Sequence, residues 1–260
     1  MFKPKSFATA LSLFLFLFFS GCNNNVAPLN EVSSLKKLTK IVQDANNYSL
    51  FSYVNGKLSK LETISNSKLF RSISLNYDGK NKPQTENYIT PFQELLKKYY
   101  YDSSSKLDSM DIMFVDGTNI YKQYRHLKYY YNSLNQLSKT EYYNTEYKLI
   151  FTTEYKYDGA GNTIERRFYD SNGLNELTKM TYNNKINPWY ILKDWLIDYN
   201  ASMSKNNLTS SSSIYSNNSQ KNTETIFTYT YNSDNYPISK TMEITRNNIK
   251  TTLTERYEYE

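Results

Sequence analysis

The amino-acid sequence predicts a mainly β protein: sequential antiparallel hairpins forming a long curved sheet or a partly closed barrel, with two short covering helices. Three observations lead there. The chain holds 27 tyrosines and 13 phenylalanines against only 7 glycines and 6 prolines. A mean hydropathy of −0.71 would suit disorder, but disordered chains have few aromatics, and here they make up 16%. Apolar and polar residues alternate with period two, the mark of a strand with one apolar and one wet face, and the runs end in Tyr and a turn. After many turns comes Leu or Ile, then Ser or Thr, then Lys.

Taken in order, the chain opens with a segment that reads as secretory. Lys3 and Lys5 precede an apolar run from Phe7 to Phe19, too short for the ~20 residues of a spanning helix. The run ends in Phe19-Ser20-Gly21-Cys22, which resembles the lipobox of bacterial lipoproteins; Phe19 departs from the usual Leu. Residues 1–21 are therefore expected to be a signal peptide, Cys22 a diacylated first residue, and residues 22–30 a tether. Cys22 is the only cysteine, so no thiol is left for a disulfide or a thiolate metal site. Losing Lys3 and Lys5 lowers the formal charge from +6 to +4. No cluster of five basic residues suggests nucleic acid.

Residues 31–260 are expected to form a single β-hairpin-repeat domain. Strand-and-turn units read at Phe51-x-Tyr53 before Asn55-Gly56, and at Ile73-x-Leu75-x-Tyr77 before Asp78-Gly79. Others read at Leu127-x-Tyr129-x-Tyr131 before Asn132, at Phe151 to Tyr157 before Asp158-Gly159-Ala160-Gly161, and at Phe227-x-Tyr229-x-Tyr231 before Asn232. Outgoing arms read at Leu38-Thr39-Lys40, Leu58-Ser59-Lys60, Leu137-Ser138-Lys139, Leu177-Thr178-Lys179 and Ile238-Ser239-Lys240. Asp or Asn at the turn entry caps the loop with its side chain. Gly56, Gly161, Asn135 and Asn235 are the candidates for the positive-φ position near its exit.

The segments Tyr155-Lys156-Tyr157-Asp158-Gly159-Ala160-Gly161-Asn162, Tyr182 to Pro188, and Tyr229-Thr230-Tyr231 through Tyr236-Pro237 carry a resemblance. They resemble the tyrosine-rich hairpin-repeat lipoproteins of Bacteroidetes, related in pattern to YD/RHS repeats. The resemblance covers most of residues 36–260 and implies fold and address only. With about six degenerate copies, the cargo-enclosing shell of RHS toxins is not implied.

Two helices are expected to interrupt the strands. Thr90-Pro91-Phe92-Gln93 has capping-box form and opens a helix near 91–101. Asn187-Pro188 opens another near 188–199, with Trp189, Leu192, Leu196 and Tyr199 on one face, docking on the sheet as a plug. The Ser- and Asn-rich stretch from Ser202 to Asn222 reads as a mobile loop.

Catalytic chemistry is hard to place. His126, the only histidine, lies in a strand-like run without a nucleophile elbow, so it reads as a surface strand residue. One histidine and no free thiol disfavour zinc, and Asp102, Asp108, Asp111 and Asp116 lack the spacing of an EF-hand, reading instead as solvated loop carboxylates. No cofactor or catalytic residue is expected. The reading is a non-catalytic, lipid-anchored envelope protein that binds or scaffolds a glycan or protein ligand. The alternatives are a carrier of an apolar ligand in an open barrel and, last, a glycan-degrading enzyme. The candidate ligand-contacting residues are Trp189, Trp195, Tyr129, Tyr155 and Tyr229, although cross-strand pairing explains most tyrosines. Asn23 after Cys22, and no acidic cluster following it, point to the outer membrane, on the periplasmic side in preference to the cell surface.

Overall fold

A computed structural model of the chain describes residues 36–115, 121–195 and 204–260. Period-two patterning becomes strand throughout. The first four strands are Leu38–Val42 (β1), Tyr48–Val54 (β2), Lys57–Ser65 (β3) and Lys68–Tyr77 (β4). Pro83–Thr90 (β5), Gln93–Tyr101 (β6), Leu107–Val115 (β7) and Tyr121–Tyr131 (β8) follow. Next come Leu137–Tyr143 (β9), Leu149–Tyr157 (β10), Thr163–Asp170 (β11) and Gly173–Ile186 (β12). The last are Asn206–Tyr215 (β13), Thr223–Tyr231 (β14), Pro237–Arg246 (β15) and Ile249–Tyr259 (β16). Each pairs antiparallel with its successor, and β16 closes on β1 through Leu38↔Tyr259 and Ile41↔Tyr257. The sheet is thus a closed barrel of sixteen strands, which leaves no unpaired edge.

Four of the turns that follow even-numbered strands share one chemistry. Asp78, Asn132, Asp158 and Asn232 each accept, through one side-chain oxygen, the backbone N–H groups two and four residues on. The fourth residue of each loop is left-handed: Asn81 at φ 65°, Asn135 at 60°, Gly161 at 88° and Asn235 at 65°. Gly56, in a tighter turn, has φ 77°. All four positive-φ positions expected from the sequence are found.

The tyrosine that ends an even strand has its own purpose. Next to it the register slips by one residue: Ser52↔Lys60 is followed by Tyr53↔Leu58, and Tyr130↔Lys139 by Tyr131↔Leu137. The extra residue is the Ser of Leu-Ser-Lys. The Ser59 and Ser138 hydroxyls donate to the partner-strand carbonyls of Ser52 and Tyr130, both at 3.0 Å. The bulge bends the strand and tips the tyrosine inward across the preceding odd strand. There its hydroxyl donates to a carbonyl near that strand's start. Tyr53, Tyr101, Tyr131, Tyr157, Tyr182, Tyr229 and Tyr259 donate to Leu38, Pro83, Leu107, Leu137, Thr163, Leu208 and Pro237 at 2.7–2.9 Å, and Tyr77 to Leu58. This makes eight copies around the barrel, more than the motifs alone suggest. In β14 the bulge falls at Tyr231 and the tie is made by Tyr229. We call this rim the tyrosine end.

Three sequence expectations are corrected. No helix forms at 91–101: Gln93–Tyr101 is β6, and Thr90 Oγ1 accepts the Phe92 and Gln93 N–H groups within a tight hairpin turn. At 188–199 the helix is only a 3₁₀ segment, Pro188–Leu192, with Asn187 as N-cap; Lys193 and Trp195 continue bonds three residues back, and residues 196–199 lie outside the described residues. Within 202–222 the ten residues Asn206–Tyr215 are sheet, paired with both β12 and β14. Cys22, the signal segment and the tether lie outside the described residues.

Candidate functional site

Closure of the barrel sorts each strand's residues into a lumen face and an outer face. Leu58, Leu61, Ile73, Leu75, Met110 and Leu127 point inward and are almost wholly buried. The outer face carries charged and hydroxyl side chains. It carries ion pairs at Lys60–Glu62 (2.6 Å) and Lys139–Glu141 (2.7 Å), and Lys156 and Arg167 both reach Glu165 (2.9 and 2.8 Å). Between them run hydroxyl ladders such as Thr181–Ser210, Thr230–Ser239 and Thr241–Thr254.

At the tyrosine end the lumen has a floor. The β12–β13 connection turns in as the 3₁₀ segment, and Leu192, fully buried, joins Leu38, Ile41, Phe51 and Tyr257 in one core. Trp189 meets Phe51 edge-on at 5.6 Å, and Trp195 meets Tyr53 at 6.0 Å. Beneath Trp189 lies a cavity of about 260 Å³ walled by Met180, Tyr182, Leu208, Phe227, Tyr229 and Tyr257. Lys240 also borders it, paired with Glu255 at 2.6 Å. Burial pushes the hydroxyl pKa of the eight tying tyrosines upward, that of Tyr131 to about 12.

Toward the other end the lumen opens to solvent. Along β16, inward exposure rises from 6% at Tyr257 to 42% at Leu253. Half-exposed aromatics line this part. Phe114 lies 4.5 Å from Tyr124, Phe151 lies 4.5 Å from Tyr142 and 5.4 Å from Phe168, and the Arg125 guanidinium lies over both Tyr124 (4.7 Å) and Phe151 (5.3 Å). The three inward glutamates of the strands each have a basic partner: Glu86 with Lys97 (2.9 Å), Glu176 with Arg166 (2.6 Å) and Glu255 with Lys240.

The outer wall holds one aromatic–polar patch, on β6 to β9 and the following turn. Tyr100 donates to Asp111 Oδ2 (3.1 Å), and His126 Nδ1 lies 2.7 Å from Asp111 Oδ1. Tyr130 and Tyr143 both donate to Glu141 Oε2 at 2.6 Å, and the exposed Tyr147 ring lies 5.6 Å from His126. Burial opposes ionisation of Glu141, but bonds from Lys139, Tyr130 and Tyr143 outweigh it and hold its pKa at about 2. Asp108 and Asp111 are therefore strand residues rather than loop carboxylates, Asp102 caps a turn by accepting the Lys106 N–H, and Asp116 lies outside the described residues.

Of the candidate contact residues, Trp189 and Trp195 stand in the floor. Tyr229 borders the cavity, Tyr155 lies half-buried on the lumen face of β10, and Tyr129 is packed away against Met110 and Leu127. Sequence reasoning missed the cluster around Arg125. The alternation of Phe151 with Thr152 and Glu154 already placed Phe151 on the apolar face; which strands meet it across a lumen depends on closure.

The chain matches no family model and no curated protein sequence. Its fold resembles solved structures. A porin-like protein from Bacteroides uniformis superposes with a TM-score of 0.54 at 13% identity, covering 86% of this chain and 96% of that one. A porin-like protein from Bacteroides vulgatus gives 0.52 at 11% identity, covering 87% and 99%. A chain of the TcdB2-TccC3 complex gives 0.29 at 13% identity, covering 83% and 14%, a score too low to argue from.

Proposed function

We propose that the chain is a non-catalytic, lipid-anchored envelope barrel that holds an apolar or amphipathic molecule inside its lumen. The supporting observation is the sorting of its two faces. A membrane-spanning barrel carries an outward apolar band ~25 Å tall, and each Lys or Arg on its lipid face costs ~2–4 kcal/mol at the midplane. Here Lys60, Lys139, Lys156 and Arg167 stand on the outer wall with acidic partners, while the lumen is aromatic. The porin-like neighbours share the barrel, yet this wall suits water. Membrane attachment then falls to Cys22, with the outer membrane as its address. A floored, half-open aromatic lumen is also the geometry of a carrier site, concave and mainly apolar with few polar groups.

The chain's two tryptophans both stand at the floor, so its own fluorescence reports on the lumen. Titrating the full chain with 10-bromodecan-1-ol should quench that emission saturably and raise the melting temperature by linkage. Quenching that never saturates, without thermal stabilisation, would contradict the lumen reading. Cys22→Ser should leave an unprocessed precursor without fatty-acid label; persistent label would contradict the anchor.

A second reading rests on the outer-wall patch. The Tyr147 ring beside His126, in a patch that also holds Tyr130, Tyr143 and the carboxylates of Glu141 and Asp111, offers stacking and hydrogen bonding suited to a glycan. Tyr147→Ala should then abolish polysaccharide retention and spare bromodecanol quenching; unchanged retention would remove this reading.

A further inference from the structure

Charge is distributed unevenly along the lumen. Its three inward glutamates on the strands are each taken up by a neighbouring base, which leaves Arg71, Arg125 and, at the rim, Arg246 without a carboxylate partner among the described residues. All three lie in the half of the barrel away from the floor. Arg71 reaches Thr63 Oγ1 at 3.0 Å, and its buried Nε has no hydrogen-bond partner among the described residues. Arg125 donates to Tyr124 Oη at 3.0 Å and is otherwise held by the faces of Tyr124 and Phe151. Arg246 donates to the Gln220 carbonyl at 3.2 Å.

Stacking on rings fixes a guanidinium plane and leaves its edge donors pointing away from the rings. A guanidinium held in this way, beside half-exposed Phe151, Phe168 and Tyr142, presents an edge that can bind carboxylate or phosphate through two parallel bonds. The neighbouring apolar wall continues from it toward the floor. We propose that the lumen selects an anionic amphiphile: the apolar tail lies along the aromatic wall, and the acidic head is held by Arg125, with Arg71 adding to the positive field. The proposal rests on the lumen reading above and names the ligand's chemical class.

A matched pair separates the two ideas. The full chain is titrated at pH 7 with 10-bromodecanoate and with 10-bromodecan-1-ol, which share a tail and differ in head charge, tryptophan quenching being the readout. The acid should bind about tenfold or more tightly, the scale of one charge-assisted bond pair. Arg125→Gln should remove most of the acid's advantage, leaving the smaller share that Arg71 supplies, and should weaken acid binding far more than alcohol binding. Equal binding of acid and alcohol by the native chain would overturn the charge preference and leave the lumen reading standing. Saturable quenching by neither would overturn both. A preference for the acid undiminished by Arg125→Gln would overturn the assignment of the head group to Arg125.

Discussion

Removing a single oxygen tests the tyrosine ring as the device that sets the barrel. Tyr101 donates to the Pro83 carbonyl at 2.7 Å, and Pro83 is almost wholly buried, so water cannot readily replace the lost donor. Tyr101→Phe keeps the ring and its packing. A net hydrogen bond contributes about 0.5–1.5 kcal/mol, and a buried carbonyl left without a partner costs about 1–3 kcal/mol, so a loss of about 1–3 kcal/mol is expected. In a domain of this size each kcal/mol moves the melting temperature by roughly 2–4 °C. Tyr169→Phe is the control, because its hydroxyl reaches Glu154 on the outer wall at 3.3 Å in an exposed bond; it should cost no more than ~0.5 kcal/mol. Tyr157→Phe, whose tie to Leu137 lies two hairpins away, should add to Tyr101→Phe within about 0.5 kcal/mol. Urea unfolding followed by circular dichroism gives all four values. If Tyr101→Phe is no more costly than Tyr169→Phe, the ties are incidental and the explanation of the repeat fails.

The same ring makes the fold sensitive to alkali. Burial raises the pKa of the tying tyrosines above the unfolded value of about 10, so the stability they confer is complete below pH ~10 and is lost as pH rises further. Phenolate absorbance from them should therefore appear together with loss of sheet signal, and a full phenolate signal from a still-folded barrel would contradict this. Gly161→Val, at φ 88°, should lower stability by on the order of 1–3 kcal/mol, whereas Gly161→Asn should be nearly neutral, since Asn135 and Asn235 fill the same loop position. Equal melting points for the two variants would refute the turn assignment. Leu192→Ala, in the fully buried floor, should cost about 2–5 kcal/mol, and a loss below 1 kcal/mol would mean the floor is not part of the core.

Much of this fold could be read from residue order, and the failures have physical causes. Alternation located the strands around Tyr53, Tyr77, Tyr131, Tyr157 and Tyr231, and turn chemistry located the left-handed residues, because both are local. Thr90-Pro91-Phe92-Gln93 misled because a threonine hydroxyl accepts N–H groups two and three residues on in a hairpin turn as it does at a helix start. The following Leu95 and Leu96 then fall on opposite faces of β6. The serines of 210–213 looked like loop by composition, yet they alternate between the two faces of β13, where β12 and β14 supply their backbone bonds on either side. Pairing of β1 with β16 is a contact across the whole domain and has no local signal, so closure, and with it the lumen around Arg125, could not be read in advance.

Thiol labelling decides whether the outer wall stands in water or in lipid. With Cys22 acylated, a cysteine introduced at Thr254 would be the one free thiol; it lies on the exposed outer face of β16, opposite Thr241. Thr153→Cys, buried on the lumen side of β10, is the reference. In isolated envelope membranes without detergent, T254C should react rapidly with a water-soluble maleimide and T153C slowly. Protection of T254C until detergent is added would place that face in lipid and contradict the account.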